Sequence, residues 1–255
     1  MHPIRICLIL AACVTLVGGT VATRAFARPR NAVLVLFAPA GVELSDAEWA
    51  DANTAAGLDG LVGALSAEHR AVPGYLAALR DEYAGKPTES ASFAVGCYWE
   101  GERDLGKLDG VVASRTGMLG SDEVVQVRFD PRVIDEAKLV ATVKAMSCYR
   151  GLRPGDAKLA LDPQQQHDLS MHPEYFFLPL TAMQATKVNA ALGAGDNPDV
   201  LLSPMQIRLK TRLAAAIAKT GGTPDWVGEL QPDRSQNGLP DYLRSLEASL
   251  AIDGV

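Results

Sequence analysis

The chain has 255 residues, of which 48% are hydrophobic and 21% are charged. This length and composition support one sizeable core with room for a small second unit, and they exclude a fibrous or disordered chain. The formal net charge of −6 disfavours nucleic acid as a partner, because the phosphate backbone attracts basic surfaces.

The first 27 residues have the pattern of a secretory signal peptide. Arg5 gives the positive start, residues 6–17 are apolar, and residues 25–27 form a small-x-small cleavage site. We therefore expect an exported protein, periplasmic or secreted. Two alternatives stay open: residues 10–13 fit a bacterial lipobox, and an uncleaved segment would act as a membrane anchor. A membrane is expected as a partner only if the N-terminus is retained or lipidated.

Residues 28–90 predict a helical N-terminal extension. Ser45 and Glu48 have the spacing of a capping box at a helix start. Apolar residues then recur at helical spacing over residues 58–65 and again over 75–83. We expect these helices to pack on the central part of the chain.

The central part, residues 91–193, predicts an α+β domain. Four strands are predicted from short apolar or alternating runs, at residues 93–95, 111–114, 123–129 and 175–180. Three helices are predicted at residues 99–105, 136–146 and 182–192, the last two capped by Asp135 and Thr181. The resulting order βαββαβ is that of a ferredoxin-like, two-layer α/β sandwich. Residues 151–170 are expected to form a long loop over the candidate functional site described below.

Residues 194–255 predict a linker followed by a helical C-terminal extension. Gly, Asp, Asn and Pro are concentrated in residues 193–198. A helix is expected over residues 203–219, with Ser203 as its cap and Pro204 at its first position. A last short helix is expected near residues 240–250.

Cys97 is the residue best placed for chemistry. It follows a short strand and a glycine and precedes a predicted helix, so its sulfur should lie at a helix N-terminus, which favours the thiolate. The acidic residues Glu100, Glu102 and Asp104 of the same helix oppose this effect, and only Arg103 compensates nearby.

Two cysteines remain after the predicted cleavage, because Cys7 and Cys13 belong to the leader. In an oxidising compartment the two remaining thiols, Cys97 and Cys148, are expected to pair with each other. The histidines His167 and His172 lie in one loop, but no third ligand follows at a characteristic spacing, so no metal is expected.

Residues 96–99, Gly-Cys-Tyr-Trp, resemble the Gly-Cys-Phe-Trp signature of the A-type peptide methionine sulfoxide reductases, with Tyr98 in place of phenylalanine. Glu102 and Arg103 follow at the family's spacing. Residues 108–112, 116–117 and 123–131 match further blocks of the family in the same order, so the resemblance covers about residues 92–192. The family fold, a two-layer α/β sandwich, agrees with the element order predicted above.

The resemblance implies an oxidoreductase that repairs proteins or peptides by reducing methionine-S-sulfoxide. Cys97 would be the nucleophile, Glu123 the acid that protonates the departing oxygen, and Tyr98 with Trp99 the wall that holds the methyl group. The family usually places its resolving cysteines near the C-terminus, where this sequence has none, so Cys148 is the internal candidate that would resolve the Cys97 sulfenic acid as a disulfide. An exported thioredoxin-like electron donor would then supply the external thiol reductant, and no bound cofactor is implied.

Other interpretations of these residues stay open. The aromatic pair fits a strand-end core, Glu123 fits an exposed strand start, and Cys148 fits a structural disulfide or a buried thiol.

The chain also departs from the family pattern. The tyrosine and histidine that precede the family's acidic residue are absent, and its Gln-Gly-x-Asp-x-Gly-x-Gln-Tyr-Arg-Ser block is not recognisable. Tyr175 is the nearest equivalent of the tyrosine in that block, as a substrate-binding residue. These losses predict a slower or altered enzyme. The alternatives are a non-catalytic peptide-binding or disulfide-stapled scaffold protein, and thiol–disulfide exchange with other proteins.

Overall fold

The computed structural model describes residues 62–63, 66, 69, 72, 74–83, 88–221, 224, 226, 230–234 and 238–252. The predicted signal peptide and the capping box at Ser45 lie outside these residues. Within the described ranges, none of the helices has both the length and the apolar composition needed to cross a bilayer.

The central sheet has five antiparallel strands in the order β4-β1-β3-β2-β5. The strands are β1 Glu89–Val95, β2 Val111–Leu119, β3 Asp122–Phe129, β4 Tyr149–Arg153 and β5 Ala160–Leu161. A tight turn joins β2 to β3, and Gly120 has a φ of 64° there, a left-handed conformation that suits glycine. The mixed α and β composition confirms the predicted α+β class.

The helices are numbered here in chain order over the described residues. They are α1 Gly74–Tyr83, α2 Tyr98–Gly106, α3 Glu136–Lys144, α4 His167–Ser170, α5 Pro173–Phe176, α6 Ala182–Ala194, α7 Pro204–Thr220 and α8 Leu239–Ile252. The three predicted caps are confirmed, since Asp135, Thr181 and Ser203 each accept a hydrogen bond from a backbone N–H of the first turn.

The predicted fourth strand at residues 175–180 is wrong. Pro173 occupies the first position of α5, and the apolar residues that follow, Leu178 and Leu180, are buried in a helical core instead of a sheet. The fourth strand is instead β4, and its residues 151–153 belong to the segment for which the sequence predicts a long loop. Its polar sequence, Tyr-Arg-Gly-Leu-Arg, suits an edge strand but carries little strand signal.

One face of the sheet is covered by α2 and α3. Phe93 and Val125 from the sheet pack with Leu105 of α2 and with Leu139 and Val143 of α3, and all five are fully buried. This core fixes α2, and therefore the residues at its N-terminus, against the ends of β1 and β3.

The opposite face is more polar and is covered by the segment after β4. The buried Gln126 amide donates to Ser92 Oγ at 2.9 Å and to the Gly155 carbonyl at 2.7 Å. A Cβ at Gly155 would lie 2.2 Å from the Ser90 carbonyl oxygen, so this close approach requires glycine. These contacts direct the chain from β4 across the sheet towards β5.

A second, helical core joins the N- and C-terminal parts of the described chain to α6. Leu79 of α1, Val188 of α6, Leu213 of α7 and Leu246 of α8 are fully buried together. Lys187 of α6 also donates to the carbonyl of Gly106 at 2.8 Å, and its burial lowers the pKa of its ammonium group to about 8. This second, helical core therefore contacts both the body and the end of α2. The predicted limits of the two extensions stay predictions.

Candidate active site

Cys97 lies at the junction that the sequence predicted. It is the N-cap residue of α2 with extended backbone angles, φ −147° and ψ 116°, and its carbonyl accepts the N–H of Gly101 at 3.1 Å. Its thiol is free and partly exposed. The partial positive charge of the helix N-terminus therefore lies next to a sulfur that solvent can reach.

Arg150 adds a positive charge that the sequence did not associate with Cys97. A Cβ built on Gly96 would lie 2.8 Å from Arg150 Nη2, so the guanidinium covers the backbone just before the cysteine. The side chain is oriented by bonds from Nη1 to the carbonyls of Ser147 and Tyr149 at 3.1 and 3.0 Å.

Glu123 is brought to the same turn of α2. It lies at the start of β3 and pairs with Val95 of β1, and its Oε2 accepts the backbone N–H of Tyr98 at 2.9 Å. The Glu123 carboxyl group is therefore hydrogen-bonded to the residue that directly follows Cys97.

Tyr98 and Trp99 form an edge-to-face pair, with ring centroids 5.9 Å apart and an interplanar angle of 68°. The indole of Trp99 is held on two sides. His167 stacks on it at 3.7 Å between ring centroids and an angle of 6°, and Asp162 Oδ2 accepts its N–H at 3.0 Å. One face of Trp99 is therefore covered, and only the other is available to a ligand.

Asp162 also influences Tyr98. The pKa of the Tyr98 phenol is raised by desolvation and by the negative charge of Asp162, with smaller effects from Glu123 and Cys97. The hydroxyl accordingly stays protonated at neutral pH and can donate a hydrogen bond. Sequence reasoning missed Asp162, because a single acid before a proline in a loop carries no specific signal.

Glu102 connects α2 to the loop that carries His167. Its fully buried carboxyl accepts Ser114 Oγ–H at 3.0 Å and the Gln166 backbone N–H at 2.9 Å. Gln166 has a φ of 56°, a left-handed conformation that a non-glycine residue adopts only when it is held there. Burial raises the pKa of Glu102 to about 7, although its hydrogen bonds act in the opposite direction.

The raised pKa predicts a pH-dependent stability. The folded chain binds the Glu102 proton more tightly than the unfolded chain, whose value is near 4.5, so the free energy of unfolding should fall as pH rises to about 7. The loss should be at most about 3 kcal/mol. Glu102→Gln, which stays neutral, should remove this slope in urea unfolding between pH 5 and 8. The exposed Glu100→Gln on the same helix should keep it, and equal slopes in both variants would contradict the prediction.

Cys148 is buried in the core beneath the sheet, directly before β4. Its carbonyl accepts the N–H of Gly96 at 2.6 Å, so the backbones of the two cysteine segments are hydrogen-bonded neighbours. Both cysteines of the described chain are free thiols. Burial, followed by the negative charge of Asp104, raises the pKa of the Cys148 thiol.

Tyr175 has a different set of partners. Its hydroxyl donates to Asp199 Oδ1 at 2.8 Å and accepts a hydrogen bond from Lys210 Nζ at 3.1 Å. These contacts hold the phenol against the helices after residue 194, and the hydrogen bonds given by the structure do not join it to Cys97 or Glu123. Across the described residues, no three His, Cys, Asp or Glu side chains converge as a metal site.

The fold and site together define an α+β protein with a partly exposed cysteine at a helix N-terminus, next to an acid and two aromatic rings. No family model matches the chain. The chain is similar to the peptide methionine sulfoxide reductase MsrA of Methanothermobacter thermautotrophicus, at 36% identity over 69 residues, which cover 20% of this chain and 41% of the relative. The chain thus spans about two fifths of the length of this curated relative.

Proposed function

We propose that the protein reduces methionine-S-sulfoxide in proteins or peptides, with Cys97 as the nucleophile. The observation that carries the proposal is the position of Glu123, whose carboxyl accepts the Tyr98 N–H at 2.9 Å beside a partly exposed Cys97. Reduction of a sulfoxide requires an acid close to the nucleophile, and Glu123 of β3 reaches the first turn of α2, where Cys97 is the N-cap.

In the first step the Cys97 thiolate attacks the sulfoxide sulfur and Glu123 protonates the oxygen. The oxygen passes to Cys97, which becomes a sulfenic acid, and the substrate leaves as a thioether. The cysteine sulfur is oxidised by two electrons and the methionine sulfur is reduced by two. The Tyr98 ring and the uncovered face of Trp99 would hold the methyl group, and Tyr98 would contribute a hydroxyl donor.

In the second step the Cys148 thiol loses its proton and its sulfur attacks the Cys97 sulfenic sulfur; the S–O bond breaks, the departing hydroxide takes up a proton and leaves as water, and a disulfide forms. The bond from Gly96 N–H to the Cys148 carbonyl supports this pairing, since it keeps the two segments adjacent. Because the Cys148 thiol is buried, residues 145–148 between α3 and β4 would move to expose it. A thioredoxin-like dithiol would then reduce the disulfide.

The finer predictions on fold and location are part of the proposal. The first four strands and the helices α2 and α3 follow the order βαββαβ, with neighbouring strands in the order 4-1-3-2, which supports a ferredoxin-like two-layer sandwich to which β5 is added. Export to the periplasm or outside rests on residues 1–27 alone, and a role for Tyr175 with the substrate rests on the resemblance alone.

A non-catalytic peptide-binding protein is the second candidate. The observation that favours it is the stack of His167 on Trp99, at 3.7 Å between ring centroids, which fills one side of the proposed methyl pocket. A pocket narrowed in this way would suit a thioether or another slim side chain bound without turnover.

A sulfoxide assay separates the two candidates. The protein is incubated with a peptide that contains methionine-S-sulfoxide and with dithiothreitol, and the methionine peptide is quantified by mass spectrometry. We expect conversion of the S epimer only, with the R epimer as the matched control. Binding of the S-sulfoxide peptide without any conversion would reject the reductase and favour the second candidate.

A further inference from the structure

A cleft of about 420 Å³ is lined in part by residues 163–166, which belong to the loop between the two partners of Trp99, Asp162 and His167. Its walls come from two parts of the chain that are distant in sequence. Residues 163–166, Ser170, Met171 and Phe176 come from one part, and Gln231, Pro232 and Arg234 come from the other. A volume of this size, within the roughly 300–1,000 Å³ of small-molecule sites, accepts an amino acid or a short peptide end.

The cleft contains one guanidinium and neutral amides. Arg234 lies over the Phe176 ring at 5.3 Å, and its Nη2 donates to the Phe176 carbonyl at 3.2 Å. Within the part of the chain that the structure describes, its buried Nε–H has no acceptor. The described lining residues include no Asp or Glu. This cation is therefore positioned by aromatic and backbone contacts without a carboxylate among those lining residues to neutralise it.

The surroundings of Arg234 make its positive charge unfavourable in free energy. Desolvation lowers the pKa of Arg234 to about 10, with a small opposing effect of Tyr242. The guanidinium has given up its hydration and keeps one unused N–H. It therefore gains strongly from an anion that pairs with its charge and accepts this N–H. Since one positive charge is present, a singly charged anion matches it, whereas a phosphomonoester, with a charge of about −1.5 to −2, would not be neutralised.

The other residues that line the cleft indicate the chemistry of the rest of the ligand. Met171 and Phe176 provide apolar surface, and the side chains of Gln164, Gln166 and Gln231 provide amides that suit a peptide group. We propose that this cleft binds a monocarboxylate with a short apolar side chain, such as the C-terminal end of a peptide or a free acylated amino acid, through the Arg234 guanidinium.

The cleft shares a loop with the candidate active site but is not part of that site. The Gln164 backbone N–H donates to Asp162 Oδ1 at 3.0 Å, and Asp162 holds the Trp99 indole through its other oxygen. The loop that forms the cleft wall is therefore the loop that fixes Trp99. Binding in the cleft requires no redox chemistry, so the inference stands or falls independently of the reactivity of Cys97.

Isothermal titration of the purified protein with N-acetyl-leucine tests the site, and N-acetyl-leucinamide is the matched neutral control. We expect the acid to bind at least about tenfold more tightly than the amide, because only the acid pairs with the guanidinium. A leucine-terminated tetrapeptide, as acid and as amide, distinguishes a peptide end from a free amino acid. Equal affinity of acid and amide in both series, or tighter binding of inorganic phosphate, would overturn the proposal.

Variants locate the binding to the cleft. Arg234→Gln should abolish the preference for the acid, but the buried position makes a second pair necessary. Met171 is 67% exposed, so Met171→Glu should fold normally and weaken binding of the acid by about tenfold, since its carboxylate competes for the guanidinium. The isosteric Met171→Gln should bind as the unmodified protein does. If Met171→Glu and Met171→Gln bind the acid equally, the site lies elsewhere and the proposal is wrong.

Discussion

Cys97→Ser should lower the turnover of a methionine-S-sulfoxide peptide with dithiothreitol by at least about a thousandfold, because the serine hydroxyl cannot accept the oxygen as a sulfenic acid. The partly exposed thiol at the start of α2 is the group that the proposed chemistry consumes. The measurement is the initial rate of methionine peptide formation. The variant should keep the melting temperature of the unmodified protein within a few degrees, since the residue is not part of the buried core.

Cys148→Ser is the matched control for this prediction. With dithiothreitol it should retain most of the rate, because a small thiol reduces the sulfenic acid directly. With a thioredoxin-like dithiol as the reductant it should lose most of the rate, because the disulfide cannot form. Loss of activity in Cys97→Ser with equal loss in Cys148→Ser under dithiothreitol would contradict the assigned roles, and would indicate that the pair is structural.

Glu123→Gln should lower kcat by about a hundredfold or more while the backbone geometry is kept. Glutamine can still accept the Tyr98 N–H through its amide oxygen, as the carboxylate does at 2.9 Å, but it cannot deliver a proton to the oxygen that leaves the sulfoxide. The matched control is Glu89→Gln, an exposed acid at the opposite end of the same sheet, which should leave kcat unchanged.

The pattern of KM separates the role of Glu123 as an acid from a role in binding. We expect KM to change little, because the aromatic wall and not the carboxyl holds the substrate. A variant that raises KM and keeps kcat would contradict the assignment, and would make Glu123 a residue that only orients the first turn of α2.

The sequence predicted the elements that have strong local signals. The three cap residues Asp135, Thr181 and Ser203 each form the expected backbone bonds, and the strand–glycine–cysteine–helix junction at Cys97 has the expected geometry. These features depend on residues within one turn of each other. A pattern of neighbours is therefore enough to predict them.

The errors have a common physical origin in tertiary context. An apolar run at residues 175–180 fits a buried strand as well as a buried segment between helices, and only the packing of the C-terminal helices decides between them. The strand β4 is mostly polar because it lies at the edge of the sheet, so its pattern was too weak to detect.

The residues missed at the candidate site depend on contacts between distant segments. Asp162 and His167 reach Trp99 across more than sixty positions, and Arg150 covers Gly96 from a neighbouring strand. A single sequence carries no record of such pairs. The comparison with a known family did identify Cys97, Tyr98, Trp99 and Glu123, which the structure brings to one turn of α2.

The bond between Gly96 N–H and the Cys148 carbonyl has a consequence for how oxidation state is transmitted. This amide precedes the nucleophile and its acceptor belongs to the second cysteine. We therefore expect a shift of residues 145–148 that brings the two sulfurs together to lengthen this hydrogen bond, which lies at the end of the pairing between β4 and β1. The pairing of the edge strand β4 with β1 would then be weaker in the oxidised protein than in the reduced protein. A reductase partner could recognise the oxidised form by the backbone groups that this weaker pairing exposes.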